Sequence, residues 1–212
     1  MKIIVFGAAG QVGSRIVTEA LSRGHEATAV IRRESQSESF DPAVHTLVRD
    51  VGEASLTAAI GGHDFVVSAL RAPSGEEEAI VPLTGAVVEP ARSLGIPFLV
   101  VCGAAPLIVP DSGDHTVLTA PGFLPDNVVP VARASQAQWE WCATRLEPDG
   151  VCLCPPAMLA PGERTGSYRT GSDMLVVDEH GNSHISMEDF AIAVLDEAES
   201  RDHAGSRFTV GT

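Results

Sequence analysis

Lysine and tyrosine are almost absent from this sequence. Among its 212 residues, Lys2 is the only lysine and Tyr168 is the only tyrosine. A lysine that lowers the pKa of a nearby tyrosine is a common source of the acid or base in carbonyl reduction. Because Lys2 falls in a predicted strand and Tyr168 in a predicted loop, the sequence excludes such a pair.

Basic residues as a whole are few, and long apolar runs are missing. The net charge is −14, and an acidic surface repels the phosphate backbone of nucleic acids, so we expect no nucleic-acid partner. No apolar stretch reaches the roughly 18 residues of a membrane span, and the chain opens without a charged segment followed by an apolar leader. We therefore expect no membrane association and a cytoplasmic protein, with the oligomeric state open.

Cysteine is present four times, but not in a metal-binding pattern. Cys102, Cys142, Cys152 and Cys154 lie in apolar stretches, which favours reduced, buried thiols over disulfide bonds. Cys152 and Cys154 are separated by one residue, yet no histidine or cysteine follows at the spacing of a zinc finger. The sequence therefore predicts no metal site.

The clearest pattern lies in the first 14 residues. The run from Lys2 to Phe6 is apolar and β-branched, as in a strand buried on both faces. Gly7, Gly10 and Gly13 follow, and an amphipathic segment then continues to Gly24. The glycines thus lie at a helix N-terminus, where backbone N–H groups and the helix dipole bind phosphate. We expect a dinucleotide as the ligand.

The second predicted strand, 25–31, ends at Arg32 and Arg33. At this distance from the glycines an acidic residue holds the ribose 2′-hydroxyl of NAD, whereas arginine suits the 2′-phosphate of NADP. We therefore predict NADP, with NAD less favoured. Two alternatives stay open: a solvated basic turn, and a loop conformation that brings Glu34 to the ribose.

The segments that follow alternate between strands and helices. Strands are predicted at 44–48, 64–70, 97–102, 151–154 and 207–210, and helices at 53–60, from 74, at 133–146 and at 186–200. Ser74 and Glu77 resemble a capping box, and Pro82 and Pro90 interrupt or divide the helix that it opens. This order predicts an α/β fold: a doubly wound parallel Rossmann sheet in a single domain, 1–212, with a small C-terminal substrate-side extension.

Two segments are predicted to serve the substrate side, 103–130 and 155–185. The first is rich in Gly, Pro and Asp and lacks periodicity, which favours a lid. In the second, the loop PGERTGSYRTG concentrates Arg164, Tyr168 and Arg169, and an aromatic ring with cations suits a planar anionic acceptor. Alternatively, the arginines pair with carboxylates and hold the loop shut. Residues 174–177 and 183–185 are predicted to form a hairpin around 178–182.

The spacing G-x-x-G-x-x-G resembles that of the extended and atypical short-chain dehydrogenases, where Thr or Asn often stands in place of Ala9. The helix sequence ARASQAQWE, 132–140, is similar to that family's Y-x-x-S-K-x-x-x-E. By this resemblance Ala132 replaces the tyrosine and Gln136 replaces the lysine, while Ser135 and Glu140 remain. Ketone reduction and sugar epimerisation therefore lose their proton donor.

The whole chain, 1–212, resembles the small NAD(P)H-flavin reductases, atypical members of that superfamily related in style to the biliverdin-IX-beta and flavin reductases. The motifs that carry the resemblance are GAAGQVG, DFVVSAL, PGERTGSYRTG, ISMEDFAIAVLDE and RFTVG. The resemblance implies an NAD(P)H-dependent oxidoreductase that transfers hydride to flavin or a similar planar acceptor, such as a quinone or tetrapyrrole. The absence of the tyrosine and lysine fits a second function equally well. This alternative is a redox sensor that binds NADP without turnover and acts through a protein partner.

Strand ends and the resemblance together assign candidate site residues. The predicted cofactor-binding residues are Gly7, Ala9, Gly10, Gln11, Val12, Gly13, Arg32, Arg33, Asp50, Val51, Ala69, Leu70, Arg71, Cys102, Gly103, Pro155, Pro156 and Ala157. The predicted substrate-binding residues are Arg71, Ala104, Met158, Arg164 and Tyr168. Asp50 looks like the carboxylate at the adenine amino group in the superfamily, although it can equally cap the next helix. Cys102 stands where the superfamily often has Ser or Thr near the nicotinamide. Its thiol serves either in packing or as a redox group. No residue is assigned as catalytic.

Overall fold

The computed structural model describes residues 1–52 and 55–212. Within these ranges it contains a sheet of eight strands, a pair of short strands and five α-helices. In chain order the elements are β1 Lys2–Phe6, α1 Gln11–Ser22, β2 Glu26–Ile31, β3 His45–Val48, α2 Thr57–Ile60, β4 Phe65–Ser68, α3 Ile80–Ser93, β5 Phe98–Val101, α4 Val129–Ala143, β6 Gly150–Cys154, β7 Met158–Ala160, β8 Arg169–Gly171, β9 His184–Ser186, α5 Met187–Ser200 and β10 Arg207–Gly211.

The sheet has the order β3-β2-β1-β4-β5-β6-β10-β8, and every neighbouring pair is parallel except β10 with β8. Along β1, Ile3 and Val5 pack toward α1 and α5, while Ile4 and Phe6 pack toward α3 and α4. Each face of the strand is therefore buried under helices, which is why its sequence is a continuous apolar run. The predicted doubly wound Rossmann fold is confirmed.

Helix boundaries follow capping and proline chemistry. Ser186 caps α5 as predicted, since its Oγ accepts a hydrogen bond from the Asp189 amide at 2.9 Å. The predicted capping box at Ser74 is wrong: the Glu77 carboxylate instead accepts from the Gly75 amide at 2.8 Å, and a 3-10 turn over 77–79 leads into α3. Pro90 lies inside an undivided α3, although a proline at an interior position removes one backbone hydrogen bond.

Two other helices differ from their predicted ranges. The predicted helix over 53–60 is observed only as α2, beginning at Thr57, and Glu53 and Ala54 lie outside the described residues. Helix α4 covers 129–143 rather than 133–146. It starts earlier because Pro130 falls in its first turn, where a residue without an N–H group is tolerated.

The predicted hairpin around 178–182 is wrong, although the turn itself forms. The Asp178 amide donates to the Asn182 carbonyl at 2.9 Å. The flanking segments do not pair, because β9 pairs in parallel with β7 and the Leu175 amide donates to the Ile108 carbonyl at 2.9 Å. Ile108 belongs to the segment 103–130, in which Leu107 and Val117 are buried against the sheet. The predicted lid is thus packed into the core along part of its length.

Each helix in the described ranges is too short or too polar to span a lipid bilayer.

Candidate functional site

The turn after β1 brings the ends of two strands almost into contact. Gly7 has φ of 78°, and a Cβ added to it would lie 2.4 Å from the Ala69 carbonyl oxygen after β4. Gly7 also accepts a hydrogen bond from the Gly10 amide at 2.9 Å. Both the positive φ and the close approach require glycine here.

The start of α1 is open to an anion. A Cβ on Gly13 would lie 2.2 Å from the Gly7 carbonyl oxygen, so α1 packs directly against the turn. Gly10 is the N-cap and no side chain caps the helix, while Ala9, Gly10 and Gln11 are exposed. The amide groups of the first turn therefore face solvent in a cradle that side chains would fill. These residues fit the pyrophosphate of a dinucleotide.

Arg32 and Arg33 follow β2 at the same edge of the sheet. Both are exposed, and their amides donate to the Gln36 Oε1 atom at 3.0 Å, which fixes the turn. Neither guanidinium forms an ion pair with any residue of 1–52 or 55–212. Glu34 is also exposed. The two cations thus stand beside the cradle without an ion-pair partner among the residues that the structure describes.

Asp50 and Val51 lie after β3. The Asp50 Oδ1 atom accepts from the Gly52 amide at 2.9 Å, which is a local turn. It does not cap α2, which begins at Thr57 with Leu56 at its N-cap. Asp50 is exposed, whereas Val51 is buried in the core. The carboxylate keeps lone pairs available at the edge of the sheet.

The ends of β4 and β5 are neighbours in the sheet, and α4 lies against the end of β5. Leu70 and Ala104 are half-buried and Arg71 is exposed, while Cys102 is buried. A Cβ on Gly103 would lie 2.3 Å from Ser135 Oγ. Glycine therefore lets α4 approach the end of β5 closely.

Three buried polar atoms in this part of the molecule find no hydrogen-bond partner among the described residues: Ser68 Oγ at the end of β4, Ser135 Oγ and Gln136 Oε1. The Gln136 Nε2 group is engaged, because it donates to Glu140 at 2.9 Å. Buried polar atoms are normally paired, so these three atoms are candidates for hydrogen bonds to a bound ligand. The sequence pattern identified Gln136 as the residue replacing lysine, but did not assign it to the site.

The segment after β6 reaches the small β7–β9 pair. Pro155 is half-buried, Pro156 is buried, and Ala157 is exposed. Met158 is 62% exposed, and its amide donates to the Ser183 carbonyl at 2.9 Å. An apolar side chain this exposed is available for contact with a ligand.

Arg164, Tyr168 and Arg169 form hydrogen bonds within the protein, and their role on the substrate side stays a prediction. Arg164 forms two hydrogen bonds of 2.9 Å to Glu19, the ninth residue of α1. The Tyr168 hydroxyl donates to Asp196 in α5 at 2.6 Å, and burial raises its pKa well above the ordinary value. Their polar ends reach along the helices, away from the glycine turn. Arg169 donates to main-chain oxygen atoms of Val177 and Thr212 at 2.6 and 2.7 Å.

A cleft of about 720 Å³ lies between the segment that precedes α3 and helix α4. Glu76, Glu77 and Glu78 line one side, and Arg133 lines the other together with Pro130, Ala134 and Ala137. Its walls come from segments about fifty residues apart, so no local pattern indicates it.

The chain is similar to several known proteins over its whole length. A family model described as NAD(P)H-binding matches residues 7–200. The uncharacterized protein YwnB of Bacillus subtilis is 38% identical over 216 aligned residues, which cover 99% of this chain and 98% of YwnB. Both similarities include the glycine turn.

Two solved structures carry different provisional names. A Bacteroides thetaiotaomicron protein provisionally named an epimerase is 34% identical, with a TM-score of 0.88 over 99% of this chain and 96% of that chain. A Streptococcus pneumoniae protein provisionally named an NADH-flavin reductase is 30% identical, with a TM-score of 0.84 over 100% and 99% of the two chains. The fold, the glycine cradle and the family match agree: this chain belongs to the NAD(P)H-binding family.

Proposed function

We propose that this protein transfers hydride from NADPH to a planar, electron-poor acceptor such as a flavin, quinone or tetrapyrrole. One observation carries the proposal. The dinucleotide cradle lies at the carboxyl ends of the strands, and the site lacks the tyrosine that acts as the acid in related reductases. Ala132 stands where the tyrosine of related reductases stands, and the Tyr168 hydroxyl is bound to Asp196. An acceptor that takes its proton from water needs no such residue.

The charged residues around the cradle support NADPH as the donor. The open first turn of α1 holds the pyrophosphate, and the exposed guanidinium groups of Arg32 and Arg33 bind the 2′-phosphate. Asp50 accepts a hydrogen bond from the adenine amino group. Each group lies at the end of a neighbouring parallel strand or in the turn that follows it, which is where ligands bind in open α/β sheets.

The nicotinamide supplies the hydride when it is bound. The residues of this chain orient the two reactants: Gln136 and Ser135 accept hydrogen bonds from ribose hydroxyls, and Met158 offers an exposed apolar surface to a ring. Holding donor and acceptor in contact is the main contribution that a protein makes to such a transfer. Epimerisation, the activity in the name of the Bacteroides relative, is disfavoured because Ala132 has no group to move a proton.

The experiment is to follow oxidation of NADPH and of NADH by the pure protein with FMN, FAD, riboflavin or a quinone as acceptor. Reactions without enzyme correct for slow background oxidation. We expect turnover with NADPH to exceed that with NADH. Tight NADPH binding without turnover of any acceptor would instead favour the sensor that binds NADP and acts through a partner.

A further inference from the structure

All four cysteines of the chain meet in one place. In the β5–β6 pairing Val100 lies opposite Cys152. Cys102 comes two residues after Val100, and its amide donates to the Leu153 carbonyl at 3.0 Å. Side chains two residues apart share a face of a sheet, so Cys102, Cys152 and Cys154 point to the same side. Helix α4 covers that side and contributes Cys142.

The thiols are close enough to act together. The Sγ atoms of Cys102, Cys142 and Cys152 all lie within 4.8 Å of one another. The four cysteines are reduced and buried, and Cys102 is the most exposed of them, at 7%. Cys154 belongs to the same apolar cluster but lies outside this group of three mutually close sulfur atoms. A single disulfide bond would use only two of these three thiols.

These distances fall near those of thiolate metal sites. Zn–S bonds of about 2.3 Å in a tetrahedron separate sulfur atoms by roughly 3.8 Å. The observed upper limit of 4.8 Å is therefore within reach of small side-chain rotations. Thiolates select soft ions such as Cu⁺ and Zn²⁺ over hard ones.

The thiols lie in an apolar surrounding formed by the core under α4. An isolated thiolate is costly in such a surrounding. A bound cation would remove this cost.

We propose that Cys102, Cys142 and Cys152 bind a thiophilic d¹⁰ metal ion: either Cu⁺ through these three sulfurs, or Zn²⁺ once the nearby Cys154 side chain turns toward them as the fourth ligand. Binding releases the thiol protons to solvent and changes no oxidation state. The sequence predicts no metal site because no zinc-finger spacing of cysteine and histidine is present. Here strand register and the packing of α4, rather than sequence spacing, bring the ligands together.

The test is a titration of the reduced protein, kept without oxygen, with Zn²⁺ or with Cu⁺ against a coloured competing chelator. We expect one ion to bind per chain, with an ultraviolet thiolate-to-metal charge-transfer band. C142S should weaken binding by more than roughly tenfold, since even residues that only support a metal ligand are worth 10–100-fold. C154S should weaken Zn²⁺ in the same way and leave Cu⁺ unchanged.

Circular dichroism shows whether each variant is folded. Should C142S fail to fold, the wild-type titration decides alone, because histidines on the surface bind Zn²⁺ without a thiolate band. Stoichiometric binding with the band supports the proposal for whichever ion shows it. Absence of the band with both ions, or a band that folded C142S retains at full strength, would overturn it.

Discussion

Gln11 is the first residue of α1 and is exposed beside the open amide groups of that turn. A glutamate here would favour the helix through its dipole but repel a pyrophosphate. We expect Q11E to bind NADPH about tenfold more weakly, the effect of one added charge a few ångströms from the ligand. Isothermal titration of NADPH measures this.

The matched control is T18E, because Thr18 is exposed on the same helix two turns further along. It adds the same charge away from the glycine turn. Equal losses of affinity in Q11E and T18E would show that the effect is one of net charge and would contradict phosphate binding at the start of α1.

Arg32 and Arg33 have no ion-pair partner in the part of the chain that the structure describes, so their removal leaves none of the described carboxylates unpaired. We expect the double variant R32A/R33A to lose about tenfold or more in NADPH affinity, since hydrogen bonds to charged groups are worth about 1.5–3 kcal/mol. NADH affinity should change little. The ratio of the two dissociation constants is the measurement, with R92A on α3 as a control for lost charge. An unchanged ratio would remove these arginines from the site.

Gln136 has a buried Oε1 atom without a partner among the described residues. If it accepts from the nicotinamide ribose, Q136L should weaken NADPH binding by about 2–10-fold, the value of one neutral hydrogen bond. Binding of 2′,5′-ADP, which lacks that ribose, should not change. A similar loss with both ligands would indicate a general disturbance of the site.

At the scale of elements, two motifs that the sequence shows far apart are partners in space. The Gly162 amide donates to Glu188 at 2.8 Å, and Thr165 and Gly166 bond to Asp189 at 2.6 to 2.9 Å. The loop PGERTGSYRTG is therefore held on the first turn of α5. Both motifs were identified from the sequence, but their contact follows from the tertiary packing.

Glu19 of α1 also bonds to the loop PGERTGSYRTG, through Arg164. This ion pair should make the free energy of unfolding depend on pH. The buried Glu19 carboxylate accepts from Arg164 and Arg23, and these hydrogen bonds hold its pKa below the ordinary value despite burial. A pKa lowered in the folded state stabilises the fold at neutral pH, and this contribution is lost as the pH falls through the folded value. We expect E19Q to lower the free energy of unfolding at pH 7 by about 1–3 kcal/mol.

The difference between E19Q and the wild type should shrink as the pH falls below 4.5, the ordinary pKa of the group. Urea unfolding at several pH values measures it. E26Q is the control, because Glu26 is exposed and lies 3.9 Å from Lys2. A difference that stays constant with pH, or one no larger than that of E26Q, would contradict the role of this ion pair.

The sequence predicted the central strands correctly because a strand buried on both faces must be apolar throughout. The sequence also predicted the glycine turn correctly, because the three glycines between a strand and a helix form a local pattern. The hairpin around 178–182 was predicted wrongly because the turn signal is local, whereas the pairing of β9 with β7 is not. The grouping of the cysteines also depends on register between β5 and β6, which no single segment encodes.

For the whole molecule, charge and fold have separate consequences. The fold brings the strand ends to one edge, where the glycine turn and Arg32 form a basic region on a chain of net charge −14. A local basic region on an acidic protein favours a small anionic ligand over a long polyanion. This agrees with a dinucleotide and disfavours nucleic acid as the partner.

The central claim is that hydride passes from NADPH to a planar acceptor without a tyrosine acid. The most direct measurement is the oxygen-free oxidation of NADPH by FMN with enzyme in excess, comparing NADPH with its analogue deuterated at the transferred position. We predict that oxidation matches reduction of FMN and that the transferred deuterium slows it. Binding of NADPH with no reduction of FMN, or of a quinone in its place, would contradict the account.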